Sequence, residues 1–275
     1  MLMSFAATPA ALADDLVSLK VPVFRDRAGH GLAVTEYSFE TQADLLEGDA
    51  AEHSLELSGL LQASERGDVL CFAATLLAES AEDARGRDLM LPDRRRRKGQ
   101  KFNALLPSSK YKTRDGEPLM LCEVETDDIR LKRSANEVRS LTLLATAVVV
   151  EARRSESIEA VVADRWVEIG FGASALVSAI EVDKKSEMTV KLKIRHAGNR
   201  DLPVIDSVYA LDTRARRMGG GRWSGELELF AKGYDVELSF PLSGDEQSIS
   251  RLEIVLATEY DIETIRFKVE GLFQD

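Results

Sequence analysis

The chain is poor in the residues that usually announce chemistry. Its 275 residues include two cysteines, Cys71 and Cys122, and three histidines. Their spacing fits no zinc site, and so few imidazoles leave little material for a catalytic triad. Ser64, Ser178 and Ser239 stand in no G-x-S-x-G elbow. No D-x-D-x-D-G calcium loop occurs. Gly219-Gly220-Gly221 lacks the Lys-Ser/Thr of a phosphate-binding loop and reads as a flexible hairpin tip. The expectation is a protein without catalysis, cofactor or metal.

Other shortages bound the class. No apolar run is long enough to cross a bilayer. Positive charge is in deficit, with a net charge of −11 and a pI near 5.0, which argues against nucleic acid as the main partner. Aromatics are only 6%, so a core has to rest on Leu, Val, Ile and Ala. No Pro/Gly/Ser tether divides the chain.

What is present is alternation of period two, written twice. Leu55, Leu57 and Leu61 fall on Met188, Val190 and Ile194 at an offset of 188 − 55 = 133. Asp83, Arg85 and Arg87 fall on Asp212, Arg214 and Arg216 at 212 − 83 = 129, where each Asp is expected to cap a turn. Arg139, Leu144, Ala145 and Thr146 meet Arg251, Leu256, Ala257 and Thr258 at 251 − 139 = 112. The blocks Leu141 to Val161 and Leu252 to Phe267 are read as β-hairpins closing two similar units. The expected fold is all-β: two tandem antiparallel β-sandwich domains of immunoglobulin-like or fibronectin-like size, related by internal duplication. The boundaries are 14–157 and 158–275, with short strands between frequent turns.

The offset falls from 129 to 112, so the first unit holds an insertion, 93–117. It carries Arg94, Arg95, Arg96, Arg97, Lys98 and Lys101. These residues are the candidate partner-binding site, gripping an acidic partner or pairing with Glu123, Glu125, Asp127 and Asp128 nearby. Phe102 and Tyr111 are the aromatics able to stack beside them. In the second unit, Trp223 and Tyr234 are the candidate ligand-facing aromatics, on either side of a hairpin that turns at Lys232-Gly233. His30 and His53 lie among turn residues and are expected in solvent. Cys71 and Cys122 sit in apolar strand-like runs; buried free thiols are expected, with a disulfide as the alternative.

Residues 1–13, MLMSFAATPAALA, end in the A-x-A pattern of signal-peptide cleavage and are followed by Asp14-Asp15. That points to a periplasmic or secreted protein; without export the chain is cytoplasmic. The functional expectation is a non-catalytic binding or structural module of a bacterial cell envelope, contacting a protein or glycan through loops or the inter-domain face. A cytosolic scaffold using the Arg-rich loop, and a hydrolase with a carboxylate-lined cleft, are the alternatives.

Overall fold

The structure, a computed structural model, describes residues 21–42, 52–64, 68–91, 101–112, 116–132, 138–160, 165–183, 187–196, 204–223, 226–228, 233–243 and 249–272. Among these the protein is all-β, with no helix. The first half contains β1 (Val23–Arg25), β2 (Gly31–Gln42), β3 (Glu52–Gln62), β4 (Val69–Ala73) and β5 (Thr75–Glu82). It continues through β6 (Lys101–Ala104), β7 (Leu106–Lys112), β8 (Pro118–Thr126), β9 (Ile129–Leu131) and β10 (Ser140–Glu159). The second half contains β11 (Val167–Glu168), β12 (Ala173–Val182), β13 (Glu187–His196) and β14 (Val204–Asp212). It ends with β15 (Arg217–Arg222), β16 (Glu226–Glu228), β17 (Gly233–Pro241) and β18 (Ile249–Glu270). Residues 1–13 and Asp14 lie outside the described residues.

The two blocks expected to be hairpins are single strands of 20 and 22 residues, β10 and β18, and they pair with each other. Their ladder runs antiparallel from Ser140↔Glu270 to Glu159↔Arg251. Neither strand contains a Gly or Pro to break it. This ribbon, bulged at Val150 to Arg153, joins fourteen strands into one network, in the order β1-β2-β3-β8-β5-β10-β18-β14-β15 with branches. A separate sheet has the order β11-β12-β13-β17.

Two large cores share the ribbon. Leu141, Leu143, Ala145 and Ala147 of β10, with Ile265, Phe267 and Val269 of β18, close a core against β2, β3, β8 and β9. Val148 and Val150 of β10, with Leu252, Ile254 and Leu256 of β18, close the other against the inner face of the four-stranded sheet. Ala147 and Val148 are neighbours, so the cores press on opposite faces of β10 there. Each core therefore takes side chains from the last strand of both halves.

The central ladders of the two halves share a register. Ser58↔Glu125 and Leu61↔Cys122 of β3·β8 become Lys191↔Glu237 and Ile194↔Tyr234 of β13·β17, offset by 191 − 58 = 133 and 237 − 125 = 112. Each preceding strand is bulged, after Val34 in β2 and after Val177 in β12. The hydroxyl at each bulge, Thr35 and Ser178, donates to the carbonyl of Ser58 and Lys191 respectively. A bulge leaves an extra residue out of the ladder, and a hydroxyl there restores a bond.

The matched aspartates also build one turn twice. Asp83 Oδ1 accepts from the amides of Arg85 (2.8 Å) and Arg87 (2.9 Å), and Asp212 Oδ1 from those of Arg214 (2.8 Å) and Arg216 (2.9 Å). The fourth residue takes positive φ, Gly86 at 72° and Ala215 at 58°. This is a type I turn followed by a left-handed residue. Beyond it the rungs Ala81↔Leu141 and Ala210↔Leu252 differ by 129 and by 252 − 141 = 111. The offset of 112 is thus one residue out at the start of β10 and β18, where a one-residue slip exchanges the buried and exposed faces.

Three further expectations are corrected. Gly219, Gly220 and Gly221 form a strand interior, β15, because a Cβ on Gly220 would fall 2.1 Å from the Tyr209 ring and one on Gly219 would fall 2.3 Å from the Pro241 carbonyl oxygen. Gly233 opens β17 opposite Arg195, and β16 pairs with β6, so among the described residues β16 and β17 are not ladder partners; Lys232 lies outside the described residues. His30 is buried: its Nδ1 accepts the Ser64 amide at 3.0 Å and its ring meets Phe72 edge-on. Desolvation lowers its pKa below 6.5, against the pull of Asp26 and Glu263.

Candidate functional site

The insertion is where the halves part company. Its strand β6 pairs on one side with β4 and on the other with β16 of the second half, at Glu226↔Asn103 and Glu228↔Lys101. Phe102, expected beside the basic run, is 1% exposed and belongs to the core of the second half. Alternation explains this: Phe102 and Ala104 point inward while Lys101 stays exposed. Arg94, Arg95, Arg96, Arg97 and Lys98 lie outside the described residues.

Beyond Ala104 the chain crosses to β8 as β7. Leu106↔Leu121 and Pro107↔Met120 pair, the register then breaks, and Lys112↔Pro118 closes the ladder. Ser108 makes the break, its Oγ accepting the amides of Lys110 (3.2 Å) and Tyr111 (3.0 Å). The turn signal at Pro107-Ser108 is thus a kink within a strand. Tyr111 is folded down onto a small apolar cluster on the outer face of the sheet, with Ala33, Leu60, Leu119 and Leu121.

Beside that cluster lies an open cavity of about 860 Å³. One wall is the sheet: Thr35 and Ser58 at the β2–β3 bulge, with Leu60, Leu121, Glu123 and Glu125. The other is the insertion: Asn103, Leu106, Pro107, Ser108, Lys110 and Tyr111. The Asn103 side-chain amide donates to the Glu123 carbonyl at 3.2 Å and ties the walls together. Lys110 Nζ lies 5.0 Å from the Tyr111 ring centroid, a cation–π distance. Leu106 is 37% exposed at the rim. Glu123 and Glu125 share one strand and one face, so they stand side by side on the same wall.

The remaining candidates fall elsewhere. Trp223, expected to face a ligand, is 3% exposed and packed in the core of the second half with Met218 and Phe240. It follows Arg222, the last residue of β15. Tyr234 occupies the second rung of β17, opposite Ile194. Cys71 and Cys122 are free and buried, and burial pushes the Cys122 thiol up to about 12 and that of Cys71 higher still. Neither is poised as a nucleophile.

One charged cluster spans the halves. The Arg153 guanidinium on β10 bonds to Asp68, ahead of β4, and to buried Asp206 on β14; Arg222 approaches Asp206 at 3.4 Å. The hydrogen bond from Arg153 holds the Asp68 carboxyl below its ordinary value. Through Arg153 the cluster clasps Asp68 of the first half to Asp206 of the second.

Among the described residues no group of three or more His, Cys, Asp or Glu is arranged to hold a metal, and no helix is long and apolar enough to cross a membrane. No family model, no curated protein and no solved structure matches the chain.

Proposed function

We propose that the protein is a non-catalytic binding module: two tandem β-sandwich units related by internal duplication, of which the first holds a partner segment in the groove beneath its insertion. The carrying observation is the origin of the groove, whose second wall comes from residues 103–111, inside a segment the second half lacks. The equal rungs, bulges and Asp turns support the duplication. A duplicated scaffold meets its structural needs with what both units share. What one unit holds alone is free for recognition, and long non-repeated segments are commonly functional.

Binding is favoured over hydrolysis by the position of the carboxylates. Acid–base cleavage uses two carboxyl groups facing each other across a substrate with separated pKa values. Glu123 and Glu125 instead line one wall. Affinity capture from native cells with wild-type chain and Tyr111→Ala tests the reading. A partner recovered by the first and lost by the second is expected, and equal recovery overturns it.

The same reading assigns the module to a bacterial cell envelope, on the A-x-A pattern before Asp14. Terminal sequencing of the native protein should find Asp14 first. An intact Met1 removes that assignment.

A further inference from the structure

This inference rests on the groove reading and adds the chemistry of the occupant. On the outer face of the second half, Lys191 stands opposite Glu237, with 3.5 Å between Nζ and the carboxylate, and Lys193 stands opposite Asp235. At the matched rungs of the first half, Ser58 stands opposite Glu125 and Leu60 opposite Glu123. Both acids are kept and both lysines are replaced. Directly opposed charges on neighbouring strands stabilise each other; in the second half Lys191 and Glu237 close to an ion pair while Lys193 only faces Asp235, and the first half has no lysine at either rung.

Glu123 and Glu125 are exposed in the groove, and no ion pair to either occurs among the described residues. Lys110, the one cation lining the groove among those residues, is drawn over Tyr111. Among the described residues the groove therefore combines unpaired carboxylates with apolar surface from Leu106, Leu121 and Tyr111. Two positions apart on a strand, the carboxylates are separated by about 7 Å along the chain direction. An extended peptide with cations at alternate positions has the same repeat.

We propose that the groove takes an extended segment of a partner protein bearing Lys or Arg at alternate positions, its cations meeting the acids at the rungs where lysines stand opposite acids in the second half. The probe is a displayed library of random decapeptides selected on the full chain. Enrichment of Lys or Arg at alternate positions is expected. Glu123→Gln and Glu125→Gln should each weaken a selected peptide about 2- to 5-fold, the range for exposed ion pairs. Tyr111→Ala should weaken it about 10-fold or more. Ser58→Lys with Leu60→Lys should abolish binding; circular dichroism establishes that this variant remains folded.

Peptides lost on Tyr111→Ala but without basic enrichment would overturn the inference and leave the groove as a binding site. Recovery indifferent to Tyr111→Ala would overturn both readings. Acidic enrichment, or no selected peptide at all, also counts against the basic segment.

Discussion

The second half exposes Lys191, Lys193, Asp235 and Glu237 on the outer face of its sheet, whereas the first half presents Ser58, Leu60, Glu123 and Glu125 at the same rungs, under a segment the second half lacks. Inward positions on these strands stay apolar in both halves: Leu55, Leu57 and Leu61 against Met188, Val190 and Ile194. Side chains of a strand alternate between faces, so one face can be rewritten while the other goes on holding the core. Within a single ladder the face that holds the core is common to both halves and the outer face differs between them.

The largest effect is expected where the halves are clasped. Arg153→Met leaves Asp206, whose side chain is 8% exposed, without its main partner. Breaking a pair around a buried charge is costly, here about 3 kcal/mol, reduced from the fully buried case because Asp68 faces solvent. Urea unfolding would measure this; a loss below about 1 kcal/mol would mean that the shared strands alone join the halves.

Next comes the rewritten face. Leu60 packs with Leu121 and Tyr111, so Leu60→Lys should cost about 1–2 kcal/mol in lost apolar burial. Lys193→Leu, at the matched rung, should stay within about 0.5 kcal/mol because Lys193 is exposed. Equal effects would erase the contrast. The turns offer a finer comparison. Gly86→Ala should destabilise by about 1 kcal/mol at φ 72°, and Ala215→Gly at φ 58° should be neutral or stabilise by up to about 1 kcal/mol. Thermal melts should show a lower midpoint for Gly86→Ala and no loss for Ala215→Gly.

Much of this was legible in the sequence, and its limits have physical causes. Alternation located the inward residues of β3 and β13, and the offsets of 133 and 129 coincide with observed rungs and turns. Such features are local. The pairing of β10 with β18 joins residues from 270 − 140 = 130 down to 251 − 159 = 92 positions apart, and alternation names no partner, so each strand read as a hairpin folded on itself. Gly219 to Gly221 read as a tip because the Tyr209 ring that needs their space is on the adjacent strand. The basic run drew attention to charge, while the groove is made by the kink at Ser108 that follows it. One signal was available: comparing outward residues at an offset of 133 sets Ser58 and Leu60 against Lys191 and Lys193.

The smallest effect concerns the charge of the turn aspartates. The Arg87 amide, then its guanidinium, holds the Asp83 carboxyl down to about 2 from an ordinary 3.8, and Arg216 lowers Asp212 in the same sense. A carboxyl whose folded pKa lies below its unfolded value binds protons less readily when folded. Its contribution is therefore complete above about pH 4 and is lost as pH falls toward 2. Asp83→Asn keeps one acceptor for the backbone amides and removes the charge. Its melting temperature should lie below that of the wild type at pH 6, and the gap should close as pH falls from 4 to 2. Asp212→Asn should behave alike, since the same turn holds it. A gap independent of pH would assign the aspartate a role in turn geometry alone and leave Arg87 and Arg216 as solvated neighbours.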